Sequence, residues 1–126
     1  MKIHIYERSK RFEDLDIWKE SMRLSIQIYS ILKECKDFGL KDQMQRAAVS
    51  IPSNIAEGFE RQTNKEFIQF LYIAKGSCAE LRTQLYIASS LHYITKEVST
   101  NLIEITSTIS KMIFTLIKYR QDYAKK

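Results

Sequence analysis

Three glycines and one proline in 126 residues leave little material for β-turns. Those residues supply most of the backbone conformations that tight turns need, which argues against a sandwich or barrel. Apolar side chains instead recur at alternating spacings of three and four, the repeat of a helix with one buried stripe. Four segments carry it. The first runs from about Asp14 to Cys35, on Leu15, Trp18, Met22, Ser25, Tyr29 and Leu32, with a second stripe on Ile17, Leu24, Ile28, Ile31 and Cys35. Gly39 then reads as its C-terminal cap. The second covers about 41–60; Pro52 removes one backbone donor and crowds the carbonyl of Ala48, which predicts a kink rather than a break. Thr63-Asn64-Lys65-Glu66 is a capping box, so the third starts near 63 and ends near His92. Gly76, in its middle, predicts close packing by a neighbouring helix. The fourth spans about 95–123.

Four long helices with short connections predict an all-α fold, an antiparallel up-down-up-down four-helix bundle filling residues 1–126 as one domain. Hydrophobic residues at 44% and charged residues at 28% exclude a disordered chain. No apolar run approaches the ~20 residues of a membrane span. The charged start, Met1-Lys2-Ile3-His4-Ile5-Tyr6-Glu7-Arg8, has no signal-peptide pattern, and Cys35 and Cys78 lack a CxxC pairing. Two reduced thiols and a cytoplasmic location are expected. Ile17, Leu24, Ile28, Phe70, Ile73, Ile87, Ile113 and Ile117 exceed what a bundle face requires. They predict a second surface buried by self-association, or else a wide core within one chain.

The most unusual polar set lies on the second helix. Arg46, Ser50, Asn54 and Glu57 share one side, and Ser77 and Glu80 stand one turn apart on the third helix. Paired carboxylates can do acid–base work or hold two metals, but the metal arrangement needs Glu-x-x-His motifs that this chain lacks. The reading preferred for these six residues is an inter-helix hydrogen-bond and ion-pair network that sets register. There is no phosphate-cradling glycine loop and no Ser/His/Asp or Cys/His set. No enzyme activity, metal or cofactor is expected.

The net charge of +5 is concentrated at the two ends. Lys2, Arg8, Lys10 and Arg11 face only Glu7 and Glu13 at the start; Lys111, Lys118, Arg120, Lys125 and Lys126 face only Asp122 at the close. Tyr6, Phe12, Tyr119 and Tyr123 are interleaved, and aromatic rings beside cations suit unpaired bases and phosphates. Basic tails kept for solubility read the same way. The nucleic-acid candidates are Arg8, Lys10, Arg11, Lys118, Arg120, Lys125 and Lys126, with Arg61 and Lys65 in second place.

Ala47-Ala48-Val49-Ser50-Ile51-Pro52-Ser53-Asn54-Ile55-Ala56-Glu57-Gly58, preceded by Gln43 and Arg46, resembles the signature of the bacterial four-helix family encoded in intervening sequences of 23S rRNA genes, also called the S23 ribosomal protein family. Phe67, Phe70-Leu71, Ile73-Ala74, Gly76-Ser77, Glu80-Leu81 and Gln84-Leu85 resemble its third helix, and Asp14-Leu15-Asp16-Ile17-Trp18 its first. The likeness spans about 12–120. It implies a cytoplasmic homopentamer of antiparallel bundles without known catalysis, for which nucleic-acid binding is the standing proposal. The chain is similar also to the accessory variability proteins of diversity-generating retroelements, basic pentamers that bind nucleic acid and a reverse transcriptase. Arg46, Ser50, Asn54, Glu57, Ser77 and Glu80 fall on the family's characteristic polar positions. Two positions depart from it. Lys41 stands where the family has a Ser or Thr helix cap, and Leu91-His92-Tyr93 replaces Leu-Gly-Tyr, although His is less comfortable than Gly in a left-handed cap. The expected function is therefore a non-enzymatic homo-oligomer that binds RNA through basic surfaces. The alternative is a scaffold for a partner protein with no nucleic-acid role; no membrane partner is expected.

Overall fold

A computed structural model describes residues 10–124, which form a 3-10 turn (Phe12–Asp14) and four helices: α1 (Asp16–Ile31), α2 (Phe38–Phe59), α3 (Asn64–Ser90) and α4 (Lys96–Ala124). No strand occurs among the described residues. Each helix packs on its neighbour in the chain and α1 closes against α4, so all four enclose one core. At the ends, Asn64 bonds Arg120 across the starts and finishes of α3 and α4, while Tyr93 bonds Asp37 between the two turns that precede α4 and α2.

Local chemistry sets the boundaries. Thr63 caps α3, its Oγ1 accepting from Glu66 N at 3.1 Å and donating to the Glu66 carboxylate at 2.9 Å. The cap missing at Lys41 proves unnecessary, because α2 begins three residues earlier and Asp37 Oδ1 accepts from Leu40 N at 3.1 Å. Gly39 consequently lies in the first turn of α2 and does not cap α1, which ends at Ile31 rather than near Cys35. The other oxygen of Asp37 accepts the Tyr93 hydroxyl at 3.0 Å. This bond holds the Tyr93 phenol above its ordinary pKa. At the end of α3, His92 adopts φ 63, Tyr93 N donates to Ala88 O at 2.9 Å and His92 N to Ser89 O at 3.0 Å. That pair is a complete Schellman motif with His in the position glycine usually occupies.

The core corrects the reading of α1 and α4. Ile17, Leu24, Ile28, Ile113 and Ile117 are completely buried, so most of the apolar surplus widens the core of one chain instead of forming a second surface. Phe70 is half-buried; of the eight surplus residues only Ile73 and Ile87 are exposed, at 51% and 44%. Met22 and Tyr29, assigned to the core stripe of α1, face outward, while Ser21 and Ser25 face inward. The inward hydroxyls are paired. Ser21 Oγ donates to Trp18 O at 3.1 Å, and Ser25 Oγ reaches Ser21 O at 3.0 Å and Ala48 O at 2.9 Å.

The Ala48 contact answers a defect in α2. That helix continues through Pro52, as its unbroken apolar spacing predicted, but proline has no N–H to offer the carbonyl four residues back. That carbonyl is Ala48 O, and the Ser25 hydroxyl of α1 takes the place of the missing donor. The glycines also exchange roles. A Cβ on Gly58 would meet Phe70 Cβ at 2.5 Å and Phe67 Cδ1 at 3.0 Å, whereas one on Gly76 would meet nothing within 4 Å. The close approach of α2 and α3 is at Gly58, and Gly76 is open.

Two substitutions test these contacts. Ser25→Ala strands a buried carbonyl and should cost about 1–3 kcal/mol in urea unfolding. Gly58→Ala forces helices apart and should cost about 1–3 kcal/mol, while Gly76→Ala shows no such loss.

Candidate nucleic-acid interface

Of the six polar residues expected to form one network, three do. Asn54 Nδ2 donates to Ser50 O at 2.8 Å and Ser50 Oγ at 2.9 Å; Ser50 Oγ lies 2.8 Å from Ser77 Oγ; Ser77 Oγ donates to Ile73 O at 3.2 Å. Only one assignment of protons satisfies every contact: Asn54 to Ser50, Ser50 to Ser77, Ser77 to the Ile73 carbonyl. The relay pins α2 to α3. Arg46, Glu57 and Glu80 stand outside it. Arg46 Nε bonds Asp42 one turn back at 2.8 Å, Glu57 pairs with Arg61 at 2.8 Å, and Glu80 is exposed. Long charged side chains at the edge of a seam reach water more cheaply than they reach each other across it. Glu57 and Glu80 therefore form no carboxylate pair, and no group of three His, Cys, Asp or Glu able to hold a metal occurs among the described residues.

The basic candidates divide by position. Arg8, Lys125 and Lys126 lie outside the described residues. Lys10 is exposed ahead of the 3-10 turn, and Arg11 sits 3.6 Å from Asp14. Arg61, Lys65 and Arg120 gather where α2 turns into α3 and α4 finishes, with Lys118 exposed half a turn before Arg120. Three phenylalanines organise this end. Phe59 and Phe67 meet edge to face at 5.8 Å, the Arg120 guanidinium stands 4.9 Å from the Phe67 ring centre, and that of Arg61 is 4.9 Å from Phe70. Asn64 fastens Arg120 twice, donating to its carbonyl at 3.0 Å and accepting from its Nη1 at 3.2 Å. Two guanidiniums thus lie within cation–π distance of aromatic rings at this end, a chemistry that also suits bases and phosphate.

Two aromatic candidates have other work. Phe12 packs edge to face on Trp18 at 5.3 Å, and Tyr119 is half-buried against the core. Sequence reasoning also passed over Lys75, Arg82 and Lys111, which line an open cleft between α3 and α4. The signal was available: Lys75 and Arg82 are seven apart, two turns on one helix face.

Both cysteines are free; Cys35 is half-buried and Cys78 buried. Burial pushes the Cys78 thiol up to about 12, against the opposing pull of Arg82 and then Lys75. The folded value exceeds the thiol's ordinary 9.0, so this contribution to stability is intact below pH 9 and is lost as pH climbs toward 12. In native protein at pH 8 a thiol reagent should label Cys35 readily and Cys78 only on unfolding. Cys78→Ser should remove this component of the alkaline loss of stability.

The family model for the 23S rRNA-intervening sequence protein matches residues 13–115. A crystal structure of a protein of unknown function from the S23 ribosomal protein family of Bacteroides thetaiotaomicron is similar, with 28% identity and a TM-score of 0.77 over 81% of this chain and 98% of that one. No curated protein matches in sequence.

Proposed function

Because this chain belongs to the 23S rRNA-intervening sequence protein family, we propose that it is a non-enzymatic, cytoplasmic homo-oligomer of antiparallel four-helix bundles that binds RNA through basic surfaces. The observation that carries this reading is the gathering of Arg61, Lys65 and Arg120 at one end of the bundle, with two guanidiniums 4.9 Å from phenylalanine ring centres and Lys118 exposed nearby on α4. Such contact restricts the side chains before any ligand arrives, so less conformational entropy is lost on binding. The antiparallel reading is supported by the Asn64–Arg120 contact at one end and Tyr93–Asp37 at the other. It brings Lys10 and Arg11 to the same end as the cluster, and the net charge of +5 favours a polyanion over an acid-poor protein partner.

Self-association is supported by one helix face. Tyr72, Ile73, Tyr86 and Ile87 are 44–61% exposed on α3, above and below the open Gly76. Five copies is the state proposed, and sedimentation should give five times the 14.9 kDa chain mass. Ile73→Glu with Ile87→Glu should reduce it to one. The same face would serve a partner-protein scaffold, in which case the double variant loses a nuclease-resistant protein partner and keeps its own mass.

RNA binding is tested by titrating a labelled structured RNA and a single strand with salt. Affinity should fall linearly in log–log form, and Lys65→Glu with Lys118→Glu should lower the slope by roughly 1 per lysine. No binding at low salt would exclude RNA as the ligand.

A further inference from the structure

The cleft between α3 and α4 carries three cations and no acidic residue in its lining. It is an open groove of about 630 Å³ into which Lys75 and Arg82 project from α3 and Lys111 from α4. Elsewhere, Arg11, Arg23, Arg46 and Arg61 each pair with an acid three or four residues away. Arg82 has only a long bond from Nη1 to the neutral Ser107 hydroxyl, 3.3 Å, and its buried Nε has no partner among the described residues. A half-buried guanidinium with donors to spare bears a desolvation cost that an anion would offset. The positive potential of Arg82 and Lys75 reaches the Cys78 thiol behind them, opposing the effect of its burial.

The groove also holds an aromatic surface. Phe114 is 45% exposed, and the Lys75 ammonium lies 5.7 Å from its ring centre. An exposed ring beside unpaired cations serves a polymer whose anionic backbone alternates with flat bases. It does nothing for a duplex, whose bases are already stacked.

We propose that the α3–α4 groove is a binding track for single-stranded nucleic acid, in which Arg82 grips one phosphate through its fork, Lys75 and Lys111 neutralise its neighbours, and Phe114 stacks an unpaired base. This inference rests on the nucleic-acid reading above and narrows it, naming the strandedness of the ligand and a second surface, midway along the bundle, that the basic end does not include.

The test uses the full chain, a labelled 12-nucleotide oligouridine and an RNA duplex of equal length, followed by fluorescence anisotropy across a salt series. Lys75→Glu with Lys111→Glu should weaken oligouridine binding at least tenfold and lower the salt slope by about 1.4, two phosphates at about 0.7 each. Lys111→Glu alone, at an exposed position, should give about half the slope change and guards against misfolding of the double variant. Phe114→Ala should weaken the single strand about fivefold or more, leaving the duplex and the salt slope unchanged. Groove variants that bind like the unaltered protein, while Lys65→Glu with Lys118→Glu loses affinity, would overturn the groove and leave the basic end standing. No binding by the unaltered protein would overturn both. A changed sedimentation mass of the groove variants with unchanged RNA affinity would instead make the groove a contact between copies and overturn the track.

Discussion

The carbonyl of Ala48 has no donor within its own helix, because the residue four positions on is Pro52. Both residues are buried, so water does not supply the missing bond cheaply. The arrangement stands because α1 presents the Ser25 hydroxyl to that oxygen at 2.9 Å. One consequence is positional. α1 must lie against α2 with Ser25 level with Ala48, which fixes both its height and its rotation. Another is compositional, since the face of α1 that carries Ser25 must be the inner one. The inner face therefore contains Ser21 and Ser25 among Ile17, Leu24 and Ile28, and Met22 and Tyr29 are turned outward.

Hydroxyls join two further seams as well. Ser50 and Ser77 meet between α2 and α3, and Ser99 Oγ donates to Leu85 O between α4 and α3 at 3.4 Å. Apolar packing between cylinders is nearly indifferent to a slide of one helical turn, whereas a hydroxyl and its acceptor match at one height only. Small side chains set how near the helices come: Ala47, Ala48, Ala74 and Ala88 are buried along these seams, and Gly58 admits the Phe70 side chain where even a methyl group would not fit. Hydrophobic burial supplies the driving force, and these few polar contacts select one alignment from several of similar apolar content.

How far the chain could be read in advance depended on whether a signal was local. The Thr63 capping box lies within four residues and set the start of α3 correctly. The start of α2 lies three residues before the expected one, because Gly39 reads locally as a cap closing the first helix whereas Asp37 caps the second from one turn earlier. The two glycines were indistinguishable as residues. What separates Gly58 from Gly76 is the neighbour opposite, Phe70 or open space, and no spacing rule within one helix contains it. Ser50, Asn54 and Ser77 were legible as partners because small polar residues on facing helical stripes have few other outlets. Arg46, Glu57 and Glu80 were not, since long side chains choose between a partner across the seam and one along their own helix. Asp42 and Arg61, each four residues away, settled that choice for Arg46 and Glu57.

That choice also shapes the field around the molecule. An exposed pair four residues apart on a helix adds only a few tenths of a kcal/mol, so Arg46–Asp42 and Arg61–Glu57 contribute little to holding the fold. Their effect is to cancel charge locally, and a cancelled pair projects little beyond the ~8 Å over which salt screens a lone ion. A net charge of +5 is then a poor guide to where a polyanion would settle, because the total counts paired and unpaired groups alike. What matters is where cations lack an acid within reach. By that measure Arg61 and Arg11 weigh less than the sequence suggests, and Lys75, Arg82 and Lys111 weigh more, although Lys75 and Arg82 stand in the part of the chain whose formal charges nearly balance. Arg11, Arg23, Arg46 and Arg61 are drawn into pairs with acids three or four residues away, whereas Lys75, Arg82 and Lys111 line one groove between two helices with no acid in its lining.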